Sequence, residues 1–271
     1  MKTDSRHIAY CDIHSEDNVD FEQILKWQKA FDPDEIILNG DVTLAEYASH
    51  WNEKAIYKLG YDLIALGLQR EFQKTHALLK RIRQASPNAR IRWVPGNHEA
   101  WYFWVALYHP GAGVILGKHP NERQYKTDLA AAADKLTSEV IERHFKTAEL
   151  DIEVVRMNKP LYVGPLLYLH GHQFASVLAT PKFYPNQNLV IGHFHKKKIT
   201  PVPDSGRSSR PIQHFAVPTL MKIQKHRGYQ KLKASDHSNG FFYANVSKSG
   251  LFEGFIKDVF GDRGNLFPWQ I

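Results

Sequence analysis

Short apolar runs alternate with longer stretches of helical periodicity through the first 150 residues. Residues 7–11, 35–38 and 91–94 are brief runs rich in Ile, Val and aromatic residues, and read as strands. Between the first two, Phe21, Ile24, Leu25 and Phe31 mark one face of a helix, with Asp20 placed to cap it and Pro33 just beyond. Residues 45–85 predict a long helix, with Leu63, Leu66, Phe72, Leu78, Leu79 and Ile82 at mostly helical spacing, closed by Ser86-Pro87-Asn88. More helix is expected near 99–108 and over the Ala-rich stretch 127–150. This β-α-β-α-β-α order argues for a sheet with helical crossovers.

The second half changes character. Strand patterns recur at 152–156, 161–169, 188–191, 198–202, 212–217, 241–246 and 251–256, separated by Pro, Gly, Asn and Ser clusters. Few helices fit between them. The expectation is an α/β (α+β) protein with two sheets face to face, and with residues 201–211 as an exposed loop.

Composition removes several classes. The chain has 271 residues, 43% of them apolar and 23% charged, which supports a core and excludes wholesale disorder. Its one cysteine, Cys11, excludes a disulfide framework and a thiolate zinc site. The first residues, Met-Lys-Thr-Asp-Ser-Arg-His, lack the apolar region of a signal peptide. The most apolar stretch, 101–117, is short of the roughly 20 residues a span needs, and His109-Pro110-Gly111 interrupts it. A cytoplasmic protein with no membrane partner is expected.

Five segments carry chemistry, each just after an expected strand: Asp12-Ile13-His14, Gly40-Asp41, Gly96-Asn97-His98-Glu99, His170-Gly171-His172 and Gly192-His193-Phe194-His195. Strand ends put side chains at one rim of a sheet, where α/β proteins build their sites. Two Asp, one Asn and several His converging there make a nitrogen and oxygen donor set without sulfur. That set suits Zn, Mn, Fe or Co better than Ca. A lone Asp-x-His or a lone His is more often structural, but five in order after five strands are not explained that way.

These five blocks resemble the ordered signature of the calcineurin-like metallophosphoesterase superfamily: Asp-x-His, Gly-Asp, Gly-Asn-His-Asp/Glu, a His followed by Gly, and Gly-His-x-His. The resemblance runs from about residue 7 to 195. It implies a four-layer α-β-β-α sandwich of two mixed sheets flanked by helices, here as one domain over 1–271 with helical insertions near 45–86 and 100–150. It further implies two divalent transition-metal ions, with Mn2+ favoured among Mn2+, Fe, Zn2+, Co2+ and Ni2+, bridged by Asp41 and a hydroxide. Asp12, His14 and His195 would complete the first site, and Asn97, His170 and His193 the second. His172 competes with His170 as ligand, and the family pattern places it one step further out. His98 would bind no metal and would face the scissile phosphate, stabilising charge or protonating the leaving oxygen. Two such ions lower the pKa of bound water from about 15.7 to roughly 7 and clamp a phosphoryl group. One position departs from the family. Three residues after the bridging Asp, where an Asp or His usually orients the catalytic His, this chain has Leu44. His98 then takes another partner, such as Glu99, or acts only through its charge.

Charge bears on the substrate. The chain is net +7, yet residues 196–233 hold ten Lys/Arg and one acid, net +9. Lys196, Lys197 and Lys198 directly follow His195 and are expected to hold a polyanionic substrate, DNA, RNA or a nucleotide, near the metals. The competing reading is a solvated face. Trp101, Tyr102, Phe103, Trp104 and Tyr108 are core more often than a base-stacking platform, and the loop with Lys182, Phe183 and Tyr184 is a further rim candidate. The expected activity is hydrolysis of a phosphodiester. The alternatives are a phosphomonoesterase and a metal-binding interaction module of weak activity, which Leu44 keeps open.

Overall fold

Strands β1 (Ser5–Tyr10) and β2 (Glu35–Asn39) are buried on both faces, which is why their sequences run apolar rather than alternating. Ile8, Tyr10, Ile36 and Leu38 face a helical layer, while Ala9 and Ile37 face a second sheet. The computed structural model describes residues 4–49, 61–108, 129–157, 159–202, 212–223, 237–261 and 264–266.

The first sheet has seven strands in the order β12-β11-β10-β1-β2-β3-β4, adding β3 (Arg90–Val94), β4 (Ile152–Val154), β10 (Asn239–Val246), β11 (Phe252–Phe260) and β12 (Asn265–Leu266). β1 to β4 run parallel, and β10 joins β1 antiparallel, so the sheet is mixed. The second sheet has five strands in the order β5-β6-β7-β9-β8: β5 (Leu161–Val163), β6 (Leu166–Leu169), β7 (Asn188–Ile191), β8 (Lys198–Val202) and β9 (Ile212–Ala216). There β6, β7 and β9 are parallel and the edges antiparallel. Val94, Leu166, Tyr168, Val190, Phe215 and Phe242 fill the space between the sheets.

Helices α1 (Glu22–Phe31), α2 (Tyr61–Ala85), α3 (Asn97–Tyr108) and α4 (Leu129–His144) cover the outer face of the seven-stranded sheet. The Asp20 carboxylate accepts the Glu22 N–H at 2.9 Å, although the cap position itself falls one residue later, on Phe21. Buried Gln28 accepts from the Tyr10 hydroxyl and donates to the Ile82 carbonyl and Ser86 Oγ, tying α1 to β1 and to the end of α2. The outer face of the five-stranded sheet carries a shorter layer, a 3-10 turn at Val177–Ala179 and the one-turn helix α5 (Thr180–Phe183). This is the mixed α/β sandwich of two sheets flanked by helices.

Several boundaries differ from the sequence expectation. The run 161–169 is a hairpin, with Leu161 opposite Tyr168, because Gly164 (φ 57°) and Pro165 turn the chain inside an apolar stretch. The helix expected from 45 does not start there. Ala45 is left-handed (φ 49°), Glu46–Ala48 forms a 3-10 turn and Ser49 is extended, and residues 50–60 lie outside the described set. On α2 the buried stripe is Ile64, Leu68, Phe72, Thr75, Leu79 and Ile82, so Leu63 and Leu66 face outward. The helix expected over 127–150 ends at His144, since Lys146 (φ 51°) breaks it before a 3-10 turn at Thr147–Leu150. β11 runs on to Phe260 and meets β12, which the sequence pattern does not signal. Residues 109–128 and most of the 201–211 loop are outside the described set. No helix among the described residues is long and apolar enough to cross a membrane.

Candidate metal centre

Five strands end at the same rim. β1, β2 and β3 are parallel in one sheet and β6 and β7 in the other, so the chemistry-bearing segments leave their carboxyl ends side by side. The two rims meet where Gly40 follows β2. A Cβ there would fall within the His170 ring, and one at Gly96 would strike the Asp41 carboxylate. Glycine at these two positions is therefore the space the donors occupy.

The backbone turns sharply at the donors themselves. Asp12 (φ 50°), His14 (φ 47°), Asp41 (φ 48°), His193 (φ 67°) and His195 (φ 54°) all adopt the left-handed region. That conformation is uncommon and costly for a residue with a Cβ, and it persists where surrounding contacts over-determine it. Those contacts are present. The Asp12 N–H donates to the Gly40 carbonyl, the His14 N–H to the Asp41 carbonyl, and the His193 N–H to Asp12 Oδ2 at 2.8 Å. The Thr219 hydroxyl and the Leu220 N–H both donate to the Asp12 carbonyl.

The side chains form overlapping groups whose donor atoms lie within 4.8 Å of one another: Asp12, His14 and His195; His14, Asp41 and His98; Asp41, His170 and His193. Asp12 Oδ1 is 3.2 Å from His195 Nε2, and Asp41 Oδ2 is 3.2 Å from His170 Nε2. The Asn97 Oδ1 joins the second group, 3.1 Å from His170 Nε2. His170 Nδ1 faces the Asn39 carbonyl at 3.1 Å, so in its neutral form Nδ1 carries the proton and Nε2 presents its lone pair to the centre. The His172 ring stands 5.7 Å from that of His170 and 6.4 Å from that of His193, and it belongs to none of these donor groups.

Electrostatics test whether metals fit. Asp12 and Asp41 are buried, and Asp12 Oδ1 has no hydrogen-bond donor among the described residues. Burial opposes a charge on Asp41, yet His170, His98 and His14 hold its carboxyl well below the usual range. Burial likewise opposes a charge on His170, but Asp41, with Asp12 behind it, raises its pKa to about 10. The carboxylates thus draw a positive charge into the centre. Burial and His170 lower His193 to about 4, leaving a neutral imidazole of the kind a metal takes. Buried carboxylates, an oxygen without a donor and imidazole lone pairs aimed inward fit two divalent cations.

His98 has a partner other than the missing side chain at position 44, and it is not Glu99. Its backbone N–H donates to Asp41 Oδ1 at 2.9 Å, and its Nδ1 lies 2.6 Å from the carbonyl oxygen of Leu44. Nε2 sits 3.7 Å from Asp41 Oδ2, and the Trp101 ring packs on the imidazole with centroids 3.8 Å apart. Burial lowers the His98 pKa. Glu99 turns away from it. The Glu99 carboxylate accepts the backbone N–H groups of Gly96, Asp41, Val42 and Thr43, which knots the second and third motifs together. Burial and the adjacent Asp41 push Glu99 up to about 7.

Of the aromatic group after His98, Trp101, Tyr102 and Phe103 are buried in the core; the side chains of Trp104 and Tyr108 are outside the described set. The Lys197 ammonium pairs with Asp258 on β11 at 2.5 Å, while Lys198 opens β8 on the exposed side. Arg207, Arg210, Lys225, Arg227, Lys231 and Lys233 of the basic segment are outside the described set. Phe183 is exposed and packs on Phe174. Nothing in the sequence marks His237, a half-buried ring 5.2 Å from that of His195, because it stands in no motif.

The chain is similar to a conserved uncharacterized protein from Streptococcus pneumoniae TIGR4, described as a predicted phosphoesterase, at 10% identity and TM-score 0.35, covering 98% of this chain and 94% of that one. It is similar to a putative diadenosine tetraphosphatase at 11% identity and TM-score 0.34, covering 94% and 95%. No curated protein sequence matches significantly. Residues 8–197 match the profile of the calcineurin-like phosphoesterases. That span begins in β1 and closes just after His195, so it takes in every strand end that feeds the rim, and the chain belongs to the calcineurin-like phosphoesterase family.

Proposed function

We propose that this protein hydrolyses phosphodiesters of nucleic acids or nucleotides with two divalent metal ions. The observation that carries the reading is the place of Asp41, whose carboxylate groups with His170 and His193 on one side and with His14 and His98 on the other, while His14 in turn groups with Asp12 and His195. Asp12, His14 and His195 would hold one ion, Asn97, His170 and His193 the other, and Asp41 would reach both. Bound there, the ions would supply an activated water at neutral pH and neutralise the phosphate. The chain does the rest. Leu44 accepts the His98 Nδ1–H in either protonation state of the ring, so the imidazole need not turn when Nε2 gains or gives its proton. Burial lowers the His98 pKa and makes the protonated ring a stronger donor to the departing oxygen. Lys196 and Lys198 stand next to His195 in sequence and would meet neighbouring phosphates.

A phosphomonoester is the second reading. The Lys197–Asp258 pair favours it, because that pair occupies one of the three cations a polyanion would use. The test is the Mn2+-loaded protein on bis-p-nitrophenyl phosphate, p-nitrophenyl phosphate, and single- and double-stranded DNA and RNA. Faster turnover of the diester and cleavage of a nucleic acid support the proposal. Cleavage of the monoester alone selects the second reading, and no turnover at all returns the chain to a binding role.

A further inference from the structure

The carbonyl that orients His98 belongs to a peptide held at its other end. Leu44 C=O and Ala45 N–H share one amide plane. The Ala45 N–H donates to Thr43 Oγ1 at 3.1 Å while the carbonyl accepts from His98 Nδ1 at 2.6 Å. Thr43 is buried and its hydroxyl is fully used: it donates to Glu16 Oε1 at 3.2 Å and accepts from Ala45 N–H and from the Tyr102 hydroxyl at 2.8 Å. The other oxygen of Glu16 accepts the Leu44 N–H at 2.6 Å. Thr75, on α2, donates to Glu16 Oε1 at 3.3 Å and is itself engaged by Ser15. A single carboxylate from the loop after β1 therefore grips the loop after β2 on both sides of Leu44, directly at the peptide before it and through Thr43 at the peptide after it. The inserted helix α2 braces it from behind.

Strain says the grip is needed. Ala45, at φ 49°, is in a left-handed conformation that a residue with a Cβ keeps only where its surroundings impose it. Relaxing Ala45 would rotate the Leu44 carbonyl away from the imidazole. No side chain at position 44 could replace it, since leucine has no acceptor.

We propose that Glu16 is a positioning residue for His98, acting through Thr43 and the Leu44–Ala45 peptide, and that it stands in for the acidic or imidazole side chain missing at position 44. This rests on the reading of His98 as the proton donor above. The expected signature is selective. Glu16→Ala should keep its metals and lower kcat by about 10- to 100-fold on diphenyl phosphate, a poor leaving group, and far less on bis-p-nitrophenyl phosphate. Glu16→Gln should recover much of the loss, because the amide oxygen still accepts the Leu44 N–H and the threonine hydroxyls can turn to accept. In a His98→Ala background Glu16→Ala should cost nothing more. Nitrogen NMR of the histidine rings gives a second readout without turnover: His98 should stay protonated at Nδ1 in the wild type and mix tautomers in Glu16→Ala. Where Glu16→Ala fails to fold, Thr43→Val reads the same link. Additive losses in the double variant, or an unchanged His98 tautomer in Glu16→Ala and Thr43→Val, overturn the proposal. Equal losses in His98→Ala on diphenyl phosphate and on bis-p-nitrophenyl phosphate overturn the proton-donor reading instead, and the tautomer measurement still decides the role of Glu16.

Discussion

His98 Nδ1 and the Leu44 carbonyl oxygen are 2.6 Å apart, so a main-chain group orients the imidazole. The side chain of Leu44 is then dispensable. Leu44→Ala should turn over diphenyl phosphate, whose poor leaving group needs His98, within about twofold of the wild type. Leu44→Pro, which removes the N–H that Glu16 accepts, should lose most activity. An alanine variant as impaired as His98→Ala would show that the leucine side chain matters after all.

Asp41 groups with His170 and His193 and also with His14, which the Asp12–His195 group shares, so its loss should be felt on both sides of the centre. Elemental analysis of the loaded wild type is expected to give about two divalent ions per chain. Asp41→Ala should retain well under half of that after dialysis and lose turnover with it. Full metal content in this variant would remove the dinuclear reading.

His7 makes stability depend on pH far from the metal centre. It is buried between Tyr168 Oη and Ser5 Oγ, each 3.0 Å from a ring nitrogen, and burial lowers its pKa from 6.5 to about 4. The folded protein keeps the ring neutral while the unfolded chain takes up a proton below pH 6.5. Its contribution is thus complete above that pH and is lost as pH falls toward 4. Between pH 7.5 and pH 5 this single group should cost about 2 kcal/mol. Urea midpoints at the two pH values, wild type against His7→Phe, check it: the gap between pH values should narrow in the variant by roughly that amount.

Replacing Lys196, Lys197 and Lys198 together with Ser should weaken oligonucleotide binding across sequences and flatten its salt dependence, since each lost phosphate contact releases about one counterion fewer. Hydrolysis of bis-p-nitrophenyl phosphate should change little. Lys197 already pairs with Asp258, so the flattening should fall short of three full contacts. An unchanged affinity and slope would leave these lysines as a solvated face.

The donors were legible because each sits at a strand end within a spaced motif, and apolar runs as short as 35–38 are enough to place those ends. What surrounds the donors was not. The Leu44 carbonyl is invisible to any reading of side-chain types. Glu16 carries no spacing signal, since its partners come from positions 43, 44 and 75. Glu99, beside His98 in sequence, spends its carboxylate on four backbone N–H groups instead. In the fold, periodicity placed Leu63 and Leu66 on the wrong face of α2, because the stripe that packs begins at Ile64. Gly164-Pro165 was absorbed into one long strand because the flanking residues are apolar on both sides.

The pairing of β1 with β10 sets a timetable for synthesis. Ser5 lies opposite Val246 and Ala9 opposite Phe242, so one side of β1 waits for residues made more than 230 positions later. At roughly 5–20 residues per second, a ribosome leaves that edge open for about 12–48 s. For the same interval the apolar face that Phe242 and Ala244 will cover is exposed, next to a strand able to pair with any extended chain. A nascent chain of this kind is one that chaperones would be expected to hold until its last strands emerge.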